Sequence, residues 1–239
     1  MQFAQKLYKG IFPQRLKLDQ KEQELLQKMY PTVDWEYVRY YRNMPWYMLK
    51  SFAIATALPH SYSGKYINIY FKSYKPNTFI STCTLVHEAF HVLQYEDMAS
   101  MNKKGWGLGF FRRFIRYYLG WYFAKWVQTF LKKGVNRKEV GYQAYRYHEM
   151  EIPAYDHESI FGENFHHYRN ADDSSYLFQQ APKLVIKNSN SPKRPPIWAW
   201  LLGSIIALVL TIVKPIADCL ILIIALLFGG WREDKTLIR

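Results

Sequence analysis

The chain has 239 residues, 49% of them hydrophobic and 18% aromatic, with 32 Lys and Arg against 19 Asp and Glu for a formal charge of +13. That length fits one compact domain with an appendage, and the apolar fraction excludes a disordered basic tail. Two cysteines, Cys83 and Cys219, exclude both a disulfide-stapled scaffold and a cysteine-ligated zinc module.

The first 30 residues carry charges throughout and contain no apolar run of the signal-peptide kind. Residues 19–30 (DQKEQELLQKMY) read as a capped polar helix that stops at Pro31. Residues 33–41 (VDWEYVRYY) alternate roughly and are rich in β-branched and aromatic side chains, which predicts a strand. Pro45 predicts a helix over 46–57 that ends before Pro59. Tyr62-Ser63-Gly64 is turn chemistry, and 66–71 (YINIYF) is a second strand. A long helix follows, from Thr78 or Ser81 to Met98.

Residues 105–131 are strongly aromatic, but Arg112, Arg113, Arg116 and Lys125 interrupt them. They read as an amphipathic helix packed on the domain, with an interfacial, membrane-lying helix as the alternative. Residues 174–196 form a linker.

From 197 to 228 the sequence is almost wholly apolar, with Lys214 and Asp218 its only charges. One straight helix of this length is roughly 50 Å long, against about 30 Å of hydrocarbon. Lys214-Pro215 divides the run into two arms. A transmembrane helical hairpin over 197–231 would move that dipeptide to the far headgroups and return Trp231 to the side of Trp198 and Trp200. A kinked single span is the alternative. Residues 232–239 are a basic tail. All but one unit of the net charge precedes Ile197, so the charge reads first as topology, with residues 1–173 retained in the cytoplasm. No nucleic-acid reading motif is present, and no specific nucleic-acid partner is expected.

The chemistry lies in TLVHEAFHVLQ, residues 84–94. His87 and His91 are four apart, so one helix face can aim both imidazoles at one ion. Glu88 can reach a water on that ion, take its proton and pass it to a leaving amine. Three protein ligands on zinc leave an open position for such chemistry. The flanking Leu85, Val86, Ala89, Phe90, Val92 and Leu93 predict a buried helix, and buried histidines need partners. A third ligand must come from elsewhere; the best candidate is Glu151 in AYRYHEMEIPAYDHE, residues 144–158. Tyr155 and Tyr147 are candidates to stabilise a tetrahedral intermediate. His157, His166 and His167 could extend the site, and Cys83 lies one turn before His87.

These motifs resemble a minimal gluzincin, the HExxH metallopeptidase class whose third ligand is a glutamate in an ExxA motif, here Glu151 and Ala154. More closely, the chain resembles bacterial domains that read HExxHxxQ and then AYR…ExEAY. His87, Glu88, His91, Gln94, Ala144-Tyr145-Arg146, Glu151 and Ala154-Tyr155 match in order. The resemblance covers roughly residues 30–160. It implies an α+β fold with a small sheet beside the HExxH helix and a second ligand-bearing helix. It also implies zinc on His87, His91 and Glu151, with Glu88 as general base. Peptides or proteins would be the substrate, and with the apolar segment anchored in the bilayer the setting would be a bacterial inner membrane. One departure is Pro153, where the family has a second acidic residue. If it broke the helix, Glu149 or His148 would replace Glu151. A metal site that only stabilises the fold, and a membrane-active effector, are the rival readings.

Overall fold

The computed structural model describes residues 13–45, 53–59, 66–100, 108–132, 134–137, 139–170 and 194–227; the side chains of 99–100, 108–112, 210–211, 214–215 and 217–227 lie outside that description. The described residues form an α+β fold, a four-stranded mixed sheet with seven α-helices. The strands are β1 (Gln14–Leu16), β2 (Val38–Arg42), β3 (Ala55–Pro59) and β4 (Ile67–Phe71), in the order β1-β2-β4-β3. β2 and β4 are parallel, Tyr40 opposite Ile69, and both outer pairs are antiparallel.

Helix α1 (Gln20–Met29) begins where Asp19 accepts from the Lys21 N–H, 3.0 Å away, and ends at Tyr30 before Pro31, as its sequence predicts. Its buried Glu22 accepts hydrogen bonds from Tyr74, Thr82 and the Asn77 N–H, pinning α1 to the start of α2 (Phe79–Ser100). Helix α2 is the expected long one. Leu85, Val86, Ala89 and Val92 are fully buried, and they join Ile67, Ile69 and Phe71 in one core between helix and sheet.

Three expectations change. The strand predicted over 33–41 is confined to Val38–Arg42, because Asp34 caps a 3-10 turn over Trp35–Tyr37, accepting from the Glu36 N–H. The helix predicted over 46–57 is contradicted at its end: Ala55–Pro59 is the edge strand β3, and 46–52 lie outside the described residues. Burial of Ala55 and Ala57 against the core outweighs their helix propensity, and an edge position tolerates Pro59. The hairpin is replaced by a single helix, Ile197–Leu227, which runs through Lys214-Pro215. Proline removes one backbone hydrogen bond and can kink a helix without reversing it, and VKPIAD has no Gly to take the positive φ of the tighter turns.

The remaining helices are α3 (Leu108–Phe130), α4 (Val140–Arg146), α5 (Glu151–Glu163), α6 (Phe165–Asn170) and α7, the Ile197–Leu227 helix. α5 packs on α2, α4 packs on α3, and α7 runs along α3. Of the expected linker, 174–193 lie outside the described residues, whereas Pro195 near its end is buried against Gly120 of α3. Among the described residues, whose side chains cover only part of α7, no helix is long and apolar enough to cross a membrane.

Candidate metal centre

α2 and α5 are both buried where they meet, and that contact brings His87, His91 and Glu151 together. One ligand atom from each lies within 4.8 Å of the others. The Glu151 Oε2 is 3.3 Å from His87 Nε2 and 3.5 Å from His91 Nε2. Zinc bonds of about 2.0–2.1 Å at tetrahedral angles place ligand atoms about 3.3 Å apart, so this donor set fits such an ion. Glu151 is the first residue of α5, which puts Pro153 in the first turn, where a missing N–H costs nothing.

The alternatives to Glu151 are committed elsewhere. His148 accepts from the Met150 N–H at Nδ1 (3.0 Å) and donates through Nε2 to the Tyr118 carbonyl (2.9 Å). Glu149 pairs with Lys125 at 2.8 Å. His148 is therefore a brace between α3 and the start of α5.

Each ligand has an outer partner. His87 Nδ1 lies 3.0 Å from Glu158 Oε2, and His91 Nδ1 lies 2.8 Å from Gln94 Oε1. The Gln94 amide in turn donates to the Met150 carbonyl at 3.1 Å, and the Tyr118 hydroxyl donates to Glu151 Oε1 at 3.2 Å. Such partners fix the ring orientation and leave both Nε2 atoms turned toward Glu151. Sequence reading matched Gln94 to a motif without giving it a task, and missed Glu158 and Tyr118. Glu158 carried a usable signal, since it follows Glu151 by two helical turns; Tyr118 carried none.

Electrostatics follow from the crowding of charge in a buried place. Burial alone would lower the pKa of His87, but hydrogen bonds to Glu151 and Glu158 outweigh it and raise the value to about 10. His91 is raised for the same reason, burial working against it and Glu151 prevailing. Burial opposes ionisation of Glu151 too, yet His91 and His87 hold its carboxyl well below the usual range. In the metal-free cluster Glu151 thus favours protons on both rings and is itself held ionised by them, and a cation can take the place of those protons.

Glu88 is buried one residue from the first ligand. Its carboxylate accepts a backbone hydrogen bond from Ala57 on β3, and burial raises its pKa against the pull of His87 and His91. Its Oε2 has no hydrogen-bond partner. A buried acceptor left open next to a ligand cluster is what a proton carrier needs.

Tyr155 sets its ring 4.6 Å from that of His87, with the Arg146 guanidinium 3.6 Å over the tyrosine ring. Burial, then Glu151, raises its pKa to about 12, so it is a donor at neutral pH. Tyr147 is exposed. His157 is not part of the cluster: its ring lies against those of Tyr30 and Phe90 in the core. His166 and His167 are exposed and lie against each other. Cys83 is a buried packing residue near Gly162. No family model, curated protein or solved structure matches this chain, and what its site does is read from His87, Glu88, His91 and Glu151 themselves.

Proposed function

We propose that this chain is a membrane-anchored zinc metallopeptidase of gluzincin type, cleaving a peptide or protein substrate. The observation that carries the reading is the buried triangle of His87, His91 and Glu151 with the unpartnered Glu88 Oε2 beside it. Three protein donors on a tetrahedral ion leave one position open, whereas sites that only stabilise a fold are closed by a fourth ligand. Zinc held there supplies Lewis-acid chemistry, lowering the pKa of a water and polarising a carbonyl.

The chain's own residues do the rest. Glu88 accepts the proton of the attacking water at Oε2 and returns it to the leaving amine, and its burial-raised pKa suits both halves of that task. Tyr155, neutral and with its ring against His87, is the candidate donor for developing negative charge. Glu158, Gln94 and Tyr118 hold the ligands in place. The membrane part of the reading rests on the apolar sequence from 197 to 228 and on its setting among basic residues, with the peptidase domain on the cytoplasmic side.

The test is zinc content followed by hydrolysis. The purified chain is expected to hold one zinc that His87→Ala releases, and to cleave a peptide library that Glu88→Gln no longer cleaves. Loss of the general base should lower the rate about 10²–10⁴-fold with zinc retained. A chain without zinc sinks the reading. Zinc with cleavage indifferent to Glu88→Gln leaves a metal site that only supports the fold.

A further inference from the structure

α3 has two working sides. On one, Tyr118 donates to the metal-ligand candidate Glu151, its carbonyl holds His148, and Lys125 pairs with Glu149. On the other, Gly120 and Ala124 receive α7. A β-carbon at position 203 would lie 2.8 Å from the Arg116 carbonyl oxygen, and one at position 120 would lie 2.9 Å from Pro195. Ala199, Gly203 and Ala207, one turn apart on α7, are all buried. As α7 advances from 199 to 203, its neighbours on α3 recede from Ala124 to Arg116, so the two helices are antiparallel and in backbone contact. α3 thus links α7 on one side to the metal cluster on the other.

The outward faces of this pair are graded. Arg194, Lys132 and Arg137 are exposed at the end where α7 begins and α3 finishes. Next come exposed aromatics: Trp126 and Phe130, stacked on each other, with Trp198 and Trp200. Beyond them, among the described side chains, α7 exposes Leu201, Ile205, Leu208 and Ile212, each 52–61% accessible, over the three turns that precede Lys214. A basic collar, an aromatic belt and then aliphatic surface is the order in which a bilayer presents anionic headgroups, interface and hydrocarbon. Arg116 lies 4.8 Å over the Trp200 ring, its charge drawn back to the belt. Tyr118, two residues from Arg116 and bonded to Glu151, therefore lies where the belt gives way to the aliphatic surface.

We infer that α3 and α7 form one unit seated in a bilayer containing anionic phospholipid, and that it holds the metal site at the membrane surface. The substrate class is then a polypeptide segment lying at that surface, next to a span of its own. This deepens the peptidase reading and rests on it for the substrate, while the placement stands without it.

The placement is tested on the full chain in vesicles of phosphatidylcholine and phosphatidylglycerol, with a photocrosslinking amino acid at exposed positions. Lipid adducts are expected at Trp198 in the belt and at Ile152 beside Glu151, and none at Gln14 on the far edge strand. An Ile152 position as free of lipid as Gln14, or a Trp198 position without adduct, overturns it. The substrate class is tested with a peptide library offered free in solution and fused to a membrane span. Cleavage is expected only of the fused library and close to the span; equal cleavage of the free library overturns it. If neither library is cleaved, the peptidase reading and with it the substrate class fall, and the lipid adducts still decide the placement.

Discussion

Around Glu151 each contact is made by a polar side chain with a named partner, whereas along α3 and α7 the contact depends on side chains that are absent. Glu151 touches two imidazoles and a phenol, and those groups are held by Glu158, Gln94 and backbone. Gly120, Gly203 and Ala199 touch backbone or the Pro195 ring and offer nothing to hydrogen-bond with. Both regions are rigid, for different reasons. A polar hub is fixed by direction and responds to protons and ions; a small-residue seam is fixed by distance and responds to volume. Breaking each should therefore need a different lever.

Protons are the largest lever, and the hub's neighbours show it in opposite signs. Burial lowers His148 and His157 to about 4. Between pH 6.5 and about 4 the unfolded chain binds protons that these folded rings refuse, so stability falls as the pH falls. The loss is on the order of 3 kcal/mol for each ring across that window. His87 has the reverse sign: raised to about 10, its contribution to the metal-free fold is full below pH 6.5 and lost as the pH rises through about 10. Denaturation of the metal-free chain from about pH 4 to about pH 10, the span of these shifts, should show an acid slope that His157→Phe reduces, because Phe keeps an aromatic ring against Tyr30 and Phe90. An acid slope untouched by that variant would contradict a neutral, buried His157.

The outer partners come next. Glu158→Gln and Gln94→Leu each leave the three ligands in place and remove what orients a ring. Zinc affinity should fall about 10–100-fold in either, measured by competition with a chelator. Affinity unchanged in both would mean that packing alone aims the imidazoles.

These effects also mark how far the sequence could be read. His87, Glu88 and His91 were legible because their chemistry is local: a four-residue spacing on a helix sets the geometry by itself. Glu151 was reachable through a motif, and Pro153 two residues on made it uncertain until the helix start was known. Tyr118 and the bracing task of His148 were not legible, since they arise only when α3 meets the turn before α5, and Tyr118 and His148 are 30 residues apart in the chain. In the fold, α1, α2 and β4 announce themselves by caps and periodicity. β3 does not, because Ala-Thr-Ala-Leu-Pro has weak strand character and becomes a strand only by pairing with β4. The apolar run of α7 was plain, but its partner was not. Small residues on α3 look like nothing until a second helix lies on them.

The seam gives the smallest and most selective effect. Gly203→Ala adds a single methyl group, yet that carbon would stand 2.8 Å from the Arg116 carbonyl and 3.0 Å from the Gly120 nitrogen, both backbone. Neither neighbour can rotate away, so α7 must move off α3. The cost should be about 1 kcal/mol, the low end for overpacking, and a Tm lower by about 2–4 °C in a chain of this size. At Gly162 the same methyl would meet only Phe79 and Cys83 side-chain atoms, at 3.5–3.8 Å, which is ordinary contact. Gly162→Ala on α5 should therefore leave Tm unchanged or raise it slightly, since alanine favours helix. If both substitutions shift Tm alike, backbone contact is not what joins α3 to α7, and the seam would differ from the hub in composition only.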